Sequence, residues 1–269
     1  MISKKQSILA IDIGNSTIGL GFYPDANTGK GLIVKKISLD NIKSSATLSR
    51  LIFNLLPKSY KTSKLAEQPI GVAISSVVPE LNRFAIDAVK SFCPNPLVIT
   101  HTSATGLILE VSHPEKLGSD RIVNALAGFR LFGKPVAIID AGTATTITIV
   151  GRHSNLFGGV IMPGITMMRE SLASNTAKLP LIDLAKPFTV LGRDTDSAIA
   201  SGIINGTIGA VENIVKGIEK EVHMKLRLIL TGGHAGLIAH LLKREHVVIP
   251  NLIFEGMRLI HNLHREAEP

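Results

Sequence analysis

Apolar and polar positions alternate in short runs through the first forty residues, a pattern typical of β-strands. It predicts strands over Ile8–Ile13, Ile18–Tyr23 and Leu32–Leu39, and three successive strands indicate a meander. Helical spacing follows over Ala46–Leu56, and a proline ends that predicted helix. The polar stretch Lys58–Gln68 is typical of a loop.

Farther along the chain, strand and helix patterns alternate, which indicates an α/β fold. The predicted strands are Ile70–Val78, Leu97–Thr100, Val136–Asp140, Ile147–Val150, Val160–Met162 and Leu226–Leu230, with another near Val247. The predicted helices are Glu80–Phe92, Asp120–Phe132, Thr166–Asn175, Thr195–Val222 and Leu252–His264.

One short phrase occurs twice, as Ile11–Thr17 and as Ile139–Thr146. Each copy ends an apolar run with Asp-x-Gly, continues through a hydroxyl-rich turn and leads into a second strand. Glycine lets such a turn approach a ligand, amides and hydroxyls can hold phosphate oxygens, and the Asp can serve a metal ion. Two ordinary hairpins with Asx-type turns are the alternative interpretation. The repeat predicts a duplicated fold of two lobes, residues 1–115 and 116–269, with a central cleft.

Composition is that of a globular protein. The chain has 269 residues, of which 45% are hydrophobic, enough for one large or two medium domains. Its single cysteine, Cys93, excludes an intrachain disulfide and favours a reducing cytoplasm. We expect no membrane role, because no window approaches the length of a membrane span and Met1–Ser7 lacks the apolar core of a signal peptide.

The formal net charge of +8 raises the question of nucleic-acid binding. The lysines and arginines are scattered, and only 4% of the residues are aromatic, so a continuous basic surface with stacking platforms is not indicated. A solvated surface, or a mild field that attracts anionic substrates, explains the charge.

A second motif, Gly118-Ser119-Asp120-Arg121, comes directly before a predicted helix. It places a carboxylate beside an anion-binding guanidinium. Asp120 could accept a hydroxyl proton while Arg121 holds a negative group. The alternative is that Ser119 or Asp120 only caps the helix.

Three further glycine turns carry weaker signals. Gly158–Gly164 surrounds a short strand and can mark close backbone packing alone. Thr231–Ala235 follows a strand and opens a helix, where it could cradle a base or ribose. Gly192–Thr195 precedes another helix, and Asp194 or Thr195 could be its N-cap. The chain has neither a P-loop nor a Gly-x-Gly-x-x-Gly motif, which disfavours P-loop and Rossmann enzymes.

Two Asp-Gly hairpins and a late Thr-Gly-Gly turn resemble the superfamily of acetate kinase, sugar kinases, heat-shock chaperones and actin. Its fold is a duplicated ribonuclease H-like, or actin-like ATPase, domain. Within this superfamily the chain closely resembles the type III pantothenate kinases. The matching phrases run in family order across nearly the whole chain: Asp12–Ser16, Ile74–Pro79, Gly118–Arg121, Asp140–Thr145, Gly158–Gly164, Ala177–Pro180, Ala198–Gly202 and Thr231–Gly233.

The resemblance implies ATP-dependent phosphorylation of pantothenate to 4'-phosphopantothenate, the first step of coenzyme A biosynthesis, by a cytoplasmic homodimer. It implies ATP with Mg²⁺ and a monovalent cation, K⁺ or NH₄⁺. Asp120 would accept the hydroxyl proton, Asp140 would coordinate the monovalent cation, and Asp12 would serve Mg²⁺. Thr195 would contact pantothenate bound to the other subunit. The implied substrate-binding residues are Gly118, Ser119, Asp120, Arg121 and Thr195, and the implied ATP-binding residues are Asp12, Ile13, Gly14, Asn15, Ser16, Thr17, Ile18, Gly19 and Thr143.

Three positions depart from the family pattern. Thr148 stands where many relatives have Asp, His234 stands where many have Leu, and Val111 stands where an aromatic residue is frequent. The last change could reshape the substrate pocket, but none removes a residue assigned to chemistry.

Two other functions remain open at this point. One is a regulatory or accessory protein that keeps the fold without turnover, which the intact Asp12, Asp120, Arg121 and Asp140 disfavour. The other is a phosphohydrolase of the same superfamily, which the substrate motif Gly118–Arg121 disfavours.

Overall fold

In the computed structural model, which describes residues 6–60, 70–184 and 189–267, the strands form two sheets. The first comprises β1 (Ser7–Ile13), β2 (Thr17–Tyr23), β3 (Ile33–Ser38), β4 (Ile70–Ser76) and β5 (Leu97–Val98), in the order β3-β2-β1-β4-β5. The second comprises β6 (Ile108–Leu109), β7 (Val136–Ala141), β8 (Ala144–Val150), β9 (Asn155–Pro163), β10 (Arg227–Thr231) and β11 (His246–Val248), in the order β11-β10-β7-β8-β9-β6.

Helices in the described residues accompany both sheets. They are α1 (Ser45–Leu55), α2 (Asn82–Val89), α3 (Ser119–Phe132), α4 (Ile165–Ser174), α5 (Thr195–Glu221), α6 (Ala235–Leu241) and α7 (Leu252–Ala267). Short 3-10 turns occur at Leu39–Asn41, Lys58–Tyr60, Pro79–Leu81 and Pro114–Lys116. The predicted loop over Lys58–Gln68 lies largely outside the described residues.

Both sheets follow one strand plan, which confirms the predicted duplication and the actin-like ATPase fold class. Strands β1, β2 and β3 form an antiparallel meander, as do β7, β8 and β9. On the other side of the meander's first strand lie two parallel strands, β4 and β5 in the first sheet and β10 and β11 in the second. Among the strands of the described residues, only β6, which pairs with β9, breaks the correspondence, and its two residues are too few to leave a pattern in the sequence.

Burial on both faces explains why the central strands are almost wholly apolar. Leu9, Ile11 and Ile13 of β1 lie in a core cluster with α1 and α2, whereas Ile8 and Ala10 lie in a second cluster with α7 and the first turns of α3. Successive residues of a strand face opposite sides of the sheet. In a strand that is covered on both faces, nearly every side chain is therefore buried and apolar. In the second sheet, β7, β8 and β10 share a core cluster with α4, α5 and α6.

The chain divides into two compact units, each with its own core. Unit 1 comprises residues 1–107, 112–127 and 252–269, and unit 2 comprises residues 108–111 and 128–251. The closing helix α7 therefore belongs to the unit of the first sheet. Each unit is built from separate segments of the chain, whereas the lobes expected from the sequence are divided at a single point after residue 115. The lobes 1–115 and 116–269 remain a prediction.

One expectation about membranes needs correction. Helix α5 contains an 18-residue window with a mean hydropathy of 1.3, so by length and composition it could span a bilayer. Ten residues of this helix are instead buried, and seven of them lie in the core cluster of unit 2, among them Ile203, Ile204 and Val211. The hydropathy therefore reflects a core helix with few charged residues.

Candidate active site

The first Asp-Gly turn joins β1 to β2. The Gly14 N–H donates to the Thr17 carbonyl oxygen at 2.9 Å, which closes the turn. Asn15, Ser16 and Thr17 are exposed. The turn thus presents main-chain amides and short polar side chains to solvent, the groups that can hold phosphate oxygens.

Three residues predicted to bind ATP face the core of unit 1. Ile13 and Ile18 are buried in the cluster with α1 and α2. A Cβ at Gly19 would lie 3.0 Å from the Phe254 ring, so this glycine makes room for the packing of α7. These positions can reach a nucleotide only through their main chain.

A hydroxyl network ties the start of α3 to the strand beside Asp12. In the parallel register, Asp12 of β1 is paired with Ser75 of β4, so the two side chains share one face of the sheet. The Ser119 hydroxyl lies 3.0 Å from that of Ser75, accepts the Ser76 N–H at 2.9 Å and lies 3.0 Å from the Ser76 carbonyl, to which it can donate. The network brings the Gly118–Arg121 motif to the carboxyl end of β4, beside the end of β1 that carries Asp12.

The network also changes the interpretation of Ser119. Its hydroxyl is buried and engaged with β4, so it positions the loop rather than offering a free group to a substrate. Sequence reasoning singled out Ser75 and Ser76 only as part of a family phrase. The signal that could have found them is a pair of hydroxyls at the carboxyl end of a buried strand.

Asp120 lies in the first turn of α3, directly over Gly118. The Ile122 N–H donates to the Gly118 carbonyl at 3.3 Å, so the helix begins after Gly118, and neither Ser119 nor Asp120 is the cap. A Cβ on Gly118 would stand 2.3 Å from Oδ1 of Asp120, and any larger residue would displace the carboxylate. That oxygen accepts the Arg121 N–H at 2.8 Å.

Burial dominates the electrostatics of the pair Asp120 and Arg121. It raises the pKa of Asp120, and the main-chain N–H of Arg121 and its positive charge oppose that rise. Burial likewise lowers the pKa of Arg121, against the attraction of Asp120. A guanidinium remains protonated at any physiological pH. The motif therefore combines a carboxylate that is more basic than usual with a fixed positive charge.

A cavity of about 660 Å³ with both polar and apolar walls opens beside this loop in unit 1. Gly118 and Ser119 contribute to its wall, together with Ser76, His101 and Lys116. Asp120 and Arg121 do not line it, so this cavity is not where a hydroxyl would meet the Asp120 carboxylate.

The second Asp-Gly turn joins β7 to β8 and is one residue shorter than the first. Six residues separate Asp12 from its cross-strand partner Gly19, whereas five separate Asp140 from Thr146. The Gly142 N–H donates to the Ala144 carbonyl at 3.0 Å and closes the turn, as the bond from Gly14 to Thr17 closes the first turn. The two copies are therefore similar in closure and different in length.

Two other glycine turns hold this second turn in place. The Gly164 N–H donates to the Thr143 carbonyl at 3.1 Å, and a Cβ on Gly164 would collide with that oxygen at 2.2 Å. Gly232 has a φ of +92°, and its Cβ would lie 2.4 Å from Oδ1 of Asp140. Both glycines are required because main chain lies in close contact with the Asp140 turn.

The donor chemistry of both turns suits the cations that the sequence implies. Hard cations take carboxylate, carbonyl and water oxygens, and Mg²⁺ on a nucleotide is usually held by one or two carboxylates plus phosphates. The described residues contain no group of three or more His, Cys, Asp or Glu that could hold a metal ion. Asp12 and Asp140 would each serve as a single carboxylate at a turn, which fits a nucleotide-borne Mg²⁺ and a weakly charged monovalent cation respectively.

Thr195 is the first residue of α5, and Asp194 is the N-cap. The Asp194 carboxylate accepts the Ser197 N–H at 2.9 Å, and the Ser197 hydroxyl completes a capping box. Hydrogen bonds from Ser197 lower the pKa of Asp194, which is fully exposed. The prediction that Asp194 could cap this helix is thus confirmed. Thr195 is exposed, so it is available for a ligand or a partner.

An apolar groove of about 790 Å³ lies beside Thr195 between α4 and α5. Its walls include Met167, Met168, Leu172 and Ile199. Large apolar side chains nearby in the sequence are also exposed, among them Leu181 at 60%, Val190 at 80% and Leu191 at 70%. An exposed apolar groove of this size is typical of an interaction site.

All three positions that depart from the family pattern lie in unit 2: His234, Thr148 and Val111. The His234 N–H donates to the Ala141 carbonyl at 3.0 Å, and its Nε2 lies 3.3 Å from the Thr166 hydroxyl. Burial lowers the pKa of His234, so the ring favours its neutral form. At the third position, Val111 replaces the aromatic residue that is frequent in the family. Its Cγ1 would lie 3.4 Å from a Cβ built on Gly158, an ordinary van der Waals contact.

Comparison with known proteins points to one family. The family model of type III pantothenate kinase matches residues 8–217 of this chain. That range contains both Asp-Gly turns, the Gly118–Arg121 motif and Thr195.

Solved structures share the fold at low sequence identity. A candidate Baf family transcriptional activator from Campylobacter jejuni aligns over 97% of this chain and 100% of its own, with a TM-score of 0.53 and 18% identity. The ethanolamine utilization protein EutJ from Carboxydothermus hydrogenoformans aligns over 95% of this chain and 89% of its own, with a TM-score of 0.54 and 16% identity. A candidate N-acetylmannosamine kinase, Lmo2764 from Listeria monocytogenes, aligns over 98% and 100%, with a TM-score of 0.51 and 10% identity.

Proposed function

Because the chain belongs to the type III pantothenate kinase family, we propose a division of work among its own residues in the phosphorylation of pantothenate by ATP. The reaction transfers the γ-phosphoryl group to the primary hydroxyl of pantothenate, the first step of coenzyme A biosynthesis. The match over residues 8–217 carries this function, and the geometry of Asp120 supports the assignment of roles.

Asp120 accepts the proton of the attacking hydroxyl. Burial raises its pKa, and a base whose pKa is closer to neutral accepts a proton more readily. Phosphoryl transfer depends mainly on positioning and charge neutralisation, so the carboxylate first orients the hydroxyl and takes its proton late. Gly118 leaves the space in which that carboxylate sits.

Arg121 holds the substrate through its charge. Its guanidinium is always protonated and presents several N–H donors, which suit the oxygen atoms of a negatively charged substrate. Its neighbour Asp120 is ionised before the proton is taken, and Arg121 balances that charge in a buried setting.

The first hairpin binds the phosphates of ATP. Asn15, Ser16 and Thr17 offer exposed polar groups, Gly14 closes the turn through its N–H, and Ile13, Ile18 and Gly19 contribute main chain only. Asp12 would hold the Mg²⁺ that accompanies ATP, which when bound neutralises phosphate charge. The carboxylate of Asp12 therefore acts on the nucleotide side of the reaction.

The second hairpin has a different task. Thr143 binds phosphate oxygen, and Asp140 would coordinate the monovalent cation, K⁺ or NH₄⁺, with carbonyl oxygens of the surrounding turns. The close approach of Gly232 to Oδ1 of Asp140 supports this role because it restricts the orientation of the carboxylate.

The active enzyme is a homodimer in the cytoplasm. The apolar groove beside Thr195 and the exposed Leu181, Val190 and Leu191 support a second copy as its occupant, because obligate interfaces between copies are hydrophobic. Thr195 then contacts pantothenate bound to the other subunit. We assign no membrane or nucleic-acid partner.

One assay separates this function from the two alternatives. Protein is incubated with ATP, Mg²⁺ and K⁺, and ADP release is followed with and without pantothenate. Release that requires pantothenate supports the kinase, release without it favours a phosphohydrolase, and no release favours a regulatory protein. Replacement of K⁺ by Na⁺ tests the cation, since an unchanged rate would exclude the role given to Asp140.

A further inference from the structure

A cavity of about 400 Å³ lies at the opposite edge of the second sheet from the Asp140 turn. Its walls come from the residues just before or at the start of β7, β10 and β11: Lys134, Pro135, Lys225, Leu226, Arg227, Arg244, Glu245, His246 and Val247. Five residue steps along the chain separate Pro135 from Asp140, about 17 Å at roughly 3.3 Å per residue. A ligand here would therefore be separate from the nucleotide phosphates at the Asp140 turn.

The charge of the cavity is positive. Four cationic side chains line it, Lys134, Lys225, Arg227 and Arg244, against one lining carboxylate, Glu245. The nearby buried Glu219 already accepts Arg244 at 2.7 Å and lies 3.7 Å from Lys225. Four positive and two negative groups leave a net charge of about +2 in a concave site, where charges of one sign focus their field.

Arg227 gives the site a fixed donor. Its guanidinium lies over the Phe132 ring, 4.4 Å from the centroid, which holds it by cation–π attraction. Its Nε is buried and has no hydrogen-bond acceptor among the described residues. A buried donor without an acceptor costs free energy. Because Arg227 also lines the cavity, its guanidinium is a candidate to meet an anion that enters it.

Glu245, the carboxylate that lines the cavity, does not neutralise these cations. Among the described residues, Glu245 forms no ion pair within 4.0 Å, and neither do Lys134 and Arg227. Lys134 and Glu245 are exposed, so both can adjust to a ligand. Lys134 and Arg227 therefore have no carboxylate partner among the described residues, and the contact of Arg227 with the Phe132 ring leaves its N–H donors for an anion.

We propose that this cavity binds the phosphate group of a small organic phosphate ester, at a second site distinct from the kinase site. Arg227 and Lys134 contact the phosphate oxygens, and Arg244 contributes its charge. The volume is within the range of ligand pockets and far larger than a phosphate group alone, and Pro135, Leu226 and Val247 offer apolar contacts to an organic moiety. A phosphate monoester carries up to two negative charges near neutral pH, which matches the net charge of the site.

Isothermal titration calorimetry with phenyl phosphate tests this site on the full-length protein. Mg²⁺, a non-hydrolysable ATP analogue and pantothenate are kept saturating, so that the probe cannot occupy the kinase site. We expect binding that weakens about threefold in K134Q and at least about tenfold in R227Q, since an exposed charge contributes less than a buried charged hydrogen bond. E245Q should bind more tightly, because it removes a negative charge from the wall.

K216Q is the matched control, because it removes one exposed lysine of the same unit away from the cavity. It should bind phenyl phosphate as the unaltered protein does. No measurable binding of phenyl phosphate, or equal affinity in K134Q, R227Q and the unaltered protein, would overturn the proposal. Binding of a single-stranded RNA oligomer that is lost in K134Q, without binding of phenyl phosphate, would overturn it in favour of a nucleic-acid surface. Each of these outcomes tests the second site alone and leaves the proposed phosphorylation of pantothenate unaffected.

Discussion

The hydroxyl oxygen of Ser119 lies 3.0 Å from the hydroxyl oxygen of Ser75, the residue paired with Asp12 across the neighbouring strand. This short connection joins the first turn of α3, which carries Asp120, to the sheet that carries the first Asp-Gly turn. In the proposed mechanism, the position of Asp120 therefore depends on a buried hydroxyl that need not touch either substrate.

Replacement of Ser119 by alanine should impair both folding and turnover. The change leaves the Ser76 N–H without its acceptor, which costs about 1–3 kcal/mol of unfolding free energy for a buried group. It also loosens the position of Asp120, and we expect kcat to fall about tenfold. Urea unfolding and steady-state kinetics measure the two effects. Ser75→Ala keeps both contacts of Ser119 to Ser76, so an effect as large as that of Ser119→Ala would contradict this account.

Gly232→Ala should weaken the response to K⁺. Its Cβ would collide with Oδ1 of Asp140, and a φ of +92° is strained for any residue with a side chain. We expect the K⁺ concentration for half-maximal activity to rise at least about tenfold, as for loss of a well-placed charged ligand. Gly233→Ala is the matched control, because a Cβ there meets nothing within 4 Å. Equal K⁺ dependence in the two variants would argue against a cation site at Asp140.

Protonation of Asp120 should make both the activity and the unfolding free energy depend on pH. Burial raises its pKa, so the acid limb of kcat/KM should lie at higher pH than for an ordinary aspartate. The folded pKa exceeds the unfolded one, so stability from this group is present at low pH and is lost as pH rises through the folded pKa. Asp120→Asn should therefore unfold at higher urea concentration than the unaltered protein at neutral pH, and the difference should shrink on acidification. A variant that is less stable at neutral pH would contradict the assigned burial.

A charge in the apolar groove should break the proposed dimer. Met167→Asp places a carboxylate on a groove side chain that is 42% exposed, and burial of that charge between two copies would be costly. We expect sedimentation velocity to show a monomer and the pantothenate kinase activity to fall. Leu241→Asp alters an equally exposed leucine, at 41%, outside the groove and should leave the dimer intact. A dimer that survives Met167→Asp would show that the interface lies elsewhere.

The sequence predicted the framework because apolar runs and paired turns have a local signature. The strand from Ile8, the helix from Asp120 and the doubled Asp-Gly turn all appear near their predicted bounds. The hydrogen bonds of Ser119 were not predictable in this way, since they join residues more than 40 positions apart. The contact of Gly232 with Asp140 likewise depends on strand order, which periodicity does not report. The strand over Ile108–Leu109 was missed because two residues carry no period.

Phosphate transfer by Asp120→Asn tests the central claim most directly. The variant and the unaltered protein are mixed with ATP, Mg²⁺, K⁺ and pantothenate, 4'-phosphopantothenate is quantified in a single turnover, and ATP affinity is measured in parallel. We predict transfer that requires pantothenate in the unaltered protein and is slower by about 10² or more in the variant, with ATP affinity unchanged. Undiminished transfer by Asp120→Asn, or ATP hydrolysis that ignores pantothenate, would contradict the account.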